Sequence, residues 1–297
     1  MVVLCLVWGF QQVAIKAVAL DVAPVLQVGL RSAVSALLVW LFSRWVTRDR
    51  WLAGVGPQSK LAVGALFAAE FVFLTEGLRW TTASHMAVFL YTAPIFAAIG
   101  LHMKLPDERL TWPQWTGIAL AFSGIAITFL RPHLRGAADP ASPDWLLGDL
   151  MGLCGGLAWG LTTVAIRTGP LNDAPPAQTL FYQLVGAFVV LVPFTWATGQ
   201  GAFHGSALAW ASLGFQALVV SFASYLAWFW LLRRYLAARL GVLSFMSPLF
   251  GVAFGALLLR EPLDPAFLAG AALVVVGLLT VNGHGWLRQT LARKLAA

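Results

Sequence analysis

Apolar residues run through this chain in ten long segments, each near the length a helix needs to cross a bilayer. They fall at 1–20, 26–46, 61–80, 83–103, 113–131, 147–168, 176–198, 206–232, 237–259 and 265–284, separated by polar, Pro or Gly breaks. The middle of a bilayer offers no water to a backbone N–H or C=O, so only helices or closed barrels span it. A barrel would show ten-residue stretches with alternating polar positions, and the chain shows none, so the segments are expected to be helices. Of 297 residues, 60% are apolar and 10% are charged, against about 25% charged in a soluble domain. That balance excludes a soluble enzyme, a disordered chain and a coiled coil. The apolar start has no basic stretch before it and no small-residue cleavage site, so it reads as the first span rather than a signal peptide.

The net charge of +7 reads as membrane orientation rather than nucleic-acid binding. With the N-terminus cytoplasmic, 13 Lys and Arg fall in inside loops and tail, 5 fall outside, and Arg31 lies within a span. Basic residues collect on the cytoplasmic side, so both termini are expected there, and the linker at 132–146 outside. Trp40, Trp45, Trp51, Trp80, Trp112, Trp115, Trp145, Trp196, Trp210 and Trp286 fall near expected span ends, as interfacial belts do. Cys5 and Cys154 sit apart in apolar runs, which suits neither a structural disulfide nor a zinc site.

The chain also repeats itself. Residues 8–16 read WGFQQVAIK and residues 159–167 read WGLTTVAIR. Pro94-Ile95-Phe96 matches Pro248-Leu249-Phe250, the loop at 105–110 matches 258–263, and Gly117 and Gly124 match Gly270 and Gly277. The offsets are 151, 154, 153 and 153 residues, in register and in order. Each copy holds five segments, an odd number, so the second must enter the bilayer from the opposite side. Such an inverted-topology repeat is the architecture many transporters use for alternating access, with the substrate between the copies near the midplane.

These marks resemble the EamA family of the drug/metabolite transporter superfamily: Trp-Gly in the first helix of each half, Pro late in the fourth, and the Leu-x-x-Glu loop before the fifth. The Gly-x6-Gly helix completes the set, and the resemblance covers about residues 1–284. Within the family, the aromatic spans are similar to bacterial aromatic amino-acid exporters of the YddG type. The resemblance implies an all-α integral membrane protein with ten transmembrane helices in two inverted five-helix repeats around a central cavity. The halves would be 1–131 and 147–284, followed by a cytoplasmic tail at 285–297. It implies a monomer in a bacterial inner membrane that moves a small molecule out of the cytoplasm, touches lipid and binds no nucleic acid. One departure is that the first helix begins at Met1 with almost no leader. Another is that no acid lies in the first span, where small multidrug transporters of the superfamily carry a coupling Glu.

Polar groups inside a membrane are costly and are functional candidates by default. Gln11 and Gln12 in the first span can donate to and accept from a polar solute. Thr162 and Thr163 hold the matching places, with Thr163 taken as the lining residue. Trp8 and Trp159 are repeat mates away from the expected interfaces. Tyr91 lies one turn before Pro94, Tyr182 and Gln183 lie in the seventh span, and Tyr225 and Trp228 in the eighth. All ten are expected to line the cavity, against the plainer reading of helix packing. Pro94 and Pro248 each remove a helical hydrogen bond and are expected hinges. Glu70 and Arg31 are read as a proton carrier or an ion pair, and His85 as a group that titrates near neutral pH. Lys16 and Arg167 are repeat mates at helix ends, where they can gate or snorkel.

No Walker loop, HExxH or GxSxG with partners is present, and no cofactor or metal is expected. The leading expectation is a secondary transporter exporting amino acids, aromatic and other neutral ones, or similar metabolites by alternating access. The alternative within transport is efflux of drugs or quaternary cations, for which Glu70 is the mid-span acid. A lipid-acting membrane enzyme would need clustered acids or a metal set, and a structural or receptor subunit would show no flux.

Overall fold

The architecture comes from a computed structural model, which describes residues 1–135, 145–234, 243–244 and 246–295. Most of the expected linker, the start of the expected ninth span and the last two tail residues lie outside the described residues. The described chain is helical, and its only β pairing is an isolated bridge between Val22 and Phe203.

The helices are α1 Val2–Ala17, α2 Pro24–Phe42, α3 Pro57–Gly77, α4 Ala83–Leu90, α5 Ala93–Lys104 and α6 Trp112–Arg135 in the first half. The second half holds α7 Trp145–Thr168, α8 Pro176–Ala197, α9 Ala207–Gly214, α10 Tyr225–Arg234, α11 Met246–Leu258 and α12 Pro265–Leu295. Helix α2 runs on through Ser43–Thr47, and a π-helical stretch, Phe215–Ser224, joins α9 to α10. Proline opens α2, α3, α8 and α12, where its missing N–H costs nothing and its φ suits the first turn. Helix α12 continues past the expected span end to Leu295, because the segment after Trp286 is rich in Leu, Arg, Gln and Ala, all good helix formers.

Five stretches are long and apolar enough to cross a membrane: Pro24–Thr47, Ala83–Lys104, Trp145–Thr168, Pro176–Ala197 and Ala207–Trp228. Val2–Ala17, Met246–Leu258 and Pro265–Val281 are shorter apolar helices. At 1.5 Å per residue, the 16 residues of α1 reach about 24 Å, short of a hydrocarbon core of about 30 Å.

The two halves interleave. The main helix pairs join one half to the other: α6 with α12, α3 with α7 and α8, α2 with α8, α1 with α11, and both α4 and α5 with α7. Exchanging the two halves maps several of these pairs onto other observed pairs. Thus α1·α11 answers α4 and α5 against α7, and α3·α8 answers α2 against the π-helical stretch. Lys16 at the end of α1 and Asp149 at the start of α7 both bond to Thr81, so the end of one repeat mate meets the start of the other.

Glycine permits the approach. A Cβ on Gly9 would lie 2.7 Å from Phe250 Cβ and 2.8 Å from the Gly251 nitrogen of α11. On its mate Gly160 it would lie 2.7 Å from Phe96 Cβ and 2.8 Å from the Ala93 carbonyl oxygen of α5. Where α6 crosses α12, Gly117 meets Gly277 and Gly124 meets Gly270, the order of an antiparallel pair. With little hydrophobic drive between helices in lipid, such close backbone packing supplies association.

Gly117→Val is therefore expected to destabilise the protein by about 2 kcal/mol or more through overpacking, since its Cβ would stand 2.7 Å from the Gly277 oxygen. Gly54→Ala, with no atom within 4 Å, is the control. Thermal unfolding of both variants in detergent would show a drop for the first alone.

Candidate substrate site and end clusters

Helices α1, α2, α3, α4, α7, α10 and α11 carry most of the expected polar and aromatic residues. The Trp8 indole N–H donates to Ser224 Oγ at 2.8 Å, and its ring meets Trp228 edge-on at 5.4 Å. Ser224 closes the π-helical stretch, a local widening of the helix often found at functional sites. Tyr91, buried at the end of α4, meets Trp159 edge-on at 5.3 Å. The α-helical pattern stops at Tyr91–Thr92 and resumes as α5. Pro94 sits in the first turn of α5, so the Leu90 carbonyl loses its helical donor. Gly156 of α7 lies against this break, where a Cβ would be 2.9 Å from the Phe89 oxygen and 3.0 Å from the Leu90 oxygen. Its repeat mate Pro248 lies buried in α11.

Glu70 and Arg31 are both buried, at 6% and 2% exposure. The Arg31 guanidinium lies 4.7 Å over the Phe71 ring. Its charge interacts with Glu70 and with the Tyr225 phenol. They form no hydrogen-bonded pair, since Arg31 Nε and Nη1 and Glu70 Oε2 have no bonding partner among the described residues. The same holds for Gln12 Oε1, Gln216 Oε1 and Ser221 Oγ, while Ser247 lies within hydrogen-bonding reach of Tyr91 and Cys5. Buried polar atoms are almost always satisfied in folded proteins, so the open capacity on Arg31 and Glu70 sets these two groups apart. Gln11 is buried on α1, and Gln183 is buried on α8.

Two expected lining residues lie elsewhere. Thr163 is exposed, and its hydroxyl bonds back to the Trp159 carbonyl oxygen at 3.2 Å; the buried member of the pair is Thr162, bonded to Ala158. Tyr182 belongs to a loop-side cluster with Val55, Val63 and Leu171, where its hydroxyl accepts from Gln178 at 3.2 Å and Lys60 lies 5.3 Å over its ring. Thr163 shares the face of Trp159 but stands one turn beyond it, and Tyr182 sits toward the loop end of α8; depth along the helix separates both from the other candidates.

A second cluster surrounds the N-terminus of α4. The Glu261 carboxylate accepts from the Ala83 and Ser84 N–H groups at 2.7 and 3.0 Å and from Ser84 Oγ at 2.7 Å. A carboxylate is favoured there by the free N–H groups and the helix dipole. Lys16 pairs with Glu261 at 3.7 Å and donates to the Thr81 carbonyl. Beside it, His85 Nδ1 lies 2.8 Å from Asp149 Oδ2, Thr81 Oγ1 donates to Asp149 Oδ1, and the His85 ring stacks on Phe267 at 4.0 Å. His85 is thus part of an end cluster. Asp149, fully buried, was missed as a candidate although an acid in an apolar segment is a signal in itself.

The opposite end of the α4–α5 rod carries the counterpart. Glu108 follows α5, and Arg167 Nε meets it at 3.1 Å while Arg167 Nη1 bonds Asn172. Lys16 and Arg167 are repeat mates, and so are Glu261 and Glu108. The first pair is largely enclosed, with side chains 30% and 7% exposed; the second is open, at 54% and 33%. The sequence signal was available, since two mate positions carry opposite charges in both halves.

A profile described as the EamA-like transporter family matches residues 1–130 and 146–283. The chain belongs to that family. It is a multi-pass membrane transporter rather than an enzyme. It is 27% identical to a protein named "Probable amino-acid metabolite efflux pump" in Escherichia coli K12, over 94% of this chain and 93% of that one. A Salmonella typhimurium protein of the same name is 26% identical over 97% and 94% of the two chains. An uncharacterized Bacillus subtilis transporter, YoaV, is 24% identical over 92% of each. One solved crystal structure superposes with a TM-score of 0.65 at 18% identity, over 99% of this chain and 96% of that one, which supports the fold of this EamA-like transporter.

Asp149→Ala strips a buried acceptor from Thr81 and His85 and is expected to cost about 3 kcal/mol. Thr163→Val, at an exposed hydroxyl bonded only to its own helix, is expected to stay within about 0.5 kcal/mol of the parent. Melting temperatures in detergent check both.

Proposed function

We propose that this transporter exports amino acids, aromatic and other neutral ones, or similarly small metabolites across a bacterial inner membrane by alternating access. In this reading ten spans form two inverted five-helix repeats, both termini are cytoplasmic, and the central layer opens in turn to each side. The observation that carries it is the pair of mate contacts at opposite ends of one rod, Lys16–Glu261 enclosed and Arg167–Glu108 open. Two copies of one unit held in unlike states have an alternative arrangement of similar energy, in which the states are exchanged. That is the physical requirement for alternating access. The interleaved helices of the two halves support the same reading.

The substrate class follows the relatives named as amino-acid metabolite efflux pumps and the make-up of the layer. Tyr91, Trp159, Tyr225, Trp8 and Trp228 offer apolar faces, while Gln12 and Ser221 offer polar capacity. Efflux of an organic cation would use Glu70, but the Arg31 charge interacting with it opposes a cation.

Counterflow in proteoliposomes tests the reading. Vesicles preloaded with unlabelled phenylalanine, methionine or threonine should take up the labelled amino acid faster than protein-free vesicles, without an ion gradient. No acceleration for any of them, with folded protein present, would remove amino acids as substrates. The end contacts make a separate prediction. Glu261→Gln weakens charge-assisted bonds to a helix N-terminus and should cost about 1.5–3 kcal/mol, whereas Glu108→Gln, in an exposed pair, should cost less than about 1 kcal/mol. Equal losses in thermal unfolding would contradict the difference between the two ends.

A further inference from the structure

We propose that Arg31 and Glu70 are the two poles that read a zwitterion, the guanidinium taking the substrate's carboxylate and the carboxylate taking its α-ammonium. The inference rests on the export reading and gives its central layer a substrate chemistry. It starts from an electrostatic cost. An isolated buried charge is very expensive unless paired and hydrogen-bonded. Here two opposite charges share one buried region and feel each other, yet Arg31 Nε, Arg31 Nη1 and Glu70 Oε2 bond to no described residue. The capacity left open is of both kinds. A guanidinium fork presents parallel N–H donors that match a carboxylate, and a carboxylate oxygen accepts from an ammonium.

The surroundings decide between ligands. A cation alone would approach Glu70 at the expense of repulsion from Arg31, and an anion alone would meet the reverse. A zwitterion satisfies both and adds no net charge to a buried layer. Gln12 Oε1 and Ser221 Oγ, also buried without a bonding partner among the described residues, add polar capacity on α1 and the π-helical stretch. Phe71 beneath Arg31 and the Tyr91–Trp159 pair supply apolar wall for a side chain.

The two poles also break the symmetry of the repeat. Arg31 stands seven residues after Pro24, which opens α2; the residue seven after Pro176, which opens α8, is the neutral Gln183. No acid occurs in α8 or between Ala207 and Arg234. Both charges therefore come from the first half. A symmetric scaffold would leave a substrate without a preferred orientation, whereas poles on one half hold it by the same groups whichever end is open.

Counterflow with chemically trimmed probes tests this. For the amino acid exchanged fastest of phenylalanine, methionine and threonine, the preloaded compound is the amino acid, its amide or its des-amino acid. In the unaltered protein each trimmed compound should drive exchange at least about tenfold less well than the amino acid, because each leaves one buried pole unmatched. Glu70→Gln should narrow the gap to the des-amino acid only, and Arg31→Gln the gap to the amide only. Exchange of either trimmed compound within about threefold of the amino acid would overturn the proposal, and that arm needs no variant to fold. Folded variants that keep both gaps would overturn it too. If the unaltered protein exchanges no amino acid, the export reading falls first and the poles with it.

Discussion

Each half of this chain buries its apolar faces mainly against the other half. The pairs α6·α12, α2·α8, α3·α8 and α1·α11 all join first-half to second-half helices. In lipid, such pairs gain little from excluding water, so they depend on backbones coming close. Gly9 against Gly251, Gly160 against Ala93 and Ala97, and Gly117 against Gly277 provide that approach. Among the described residues the two largest core clusters draw on both halves, and the candidate site lies where the two sets of helices meet.

Polar groups in this fold are of two sorts. At the α4 N-terminus, Glu261, Lys16, Asp149, Thr81 and His85 satisfy one another through direct bonds. In the candidate layer, Arg31, Glu70 and Gln12 keep capacity that no group among the described residues uses. Fully satisfied networks rigidify a structure, and partly satisfied ones are costly in a medium of low dielectric. The first sort suits a closure between helices of opposite halves. The second suits a place where a solute supplies the missing partners.

Much of this was legible beforehand because it depends on local pattern. Expected segments such as 83–103 and 176–198 meet Ala83–Lys104 and Pro176–Ala197 within a residue, since proline and polar breaks bound them. The Trp-Gly and Pro marks led to Trp8, Trp159, Tyr91 and Pro94, and the structure sets Tyr91 against Trp159 and Trp8 against Trp228. Depth was less accessible. Thr163 and Tyr182 lie in the right helices but at another depth, and residues one turn apart share a face. Asp149 and His85 are distant in sequence, and nothing in periodicity joins them.

By itself the sequence determined that the chain is helical and membrane-embedded, that it is doubled, and which family it belongs to. Hydropathy, breaker residues and repeat offsets are properties of a single strand and can be read without coordinates. Only the tertiary structure decided that the halves interleave, that Lys16 meets Glu261 while Arg167 meets Glu108, and that Arg31 and Glu70 share a buried region without bonding. Those facts depend on how helices rotate and cross, and crossing is set by close packing between residues more than a hundred positions apart.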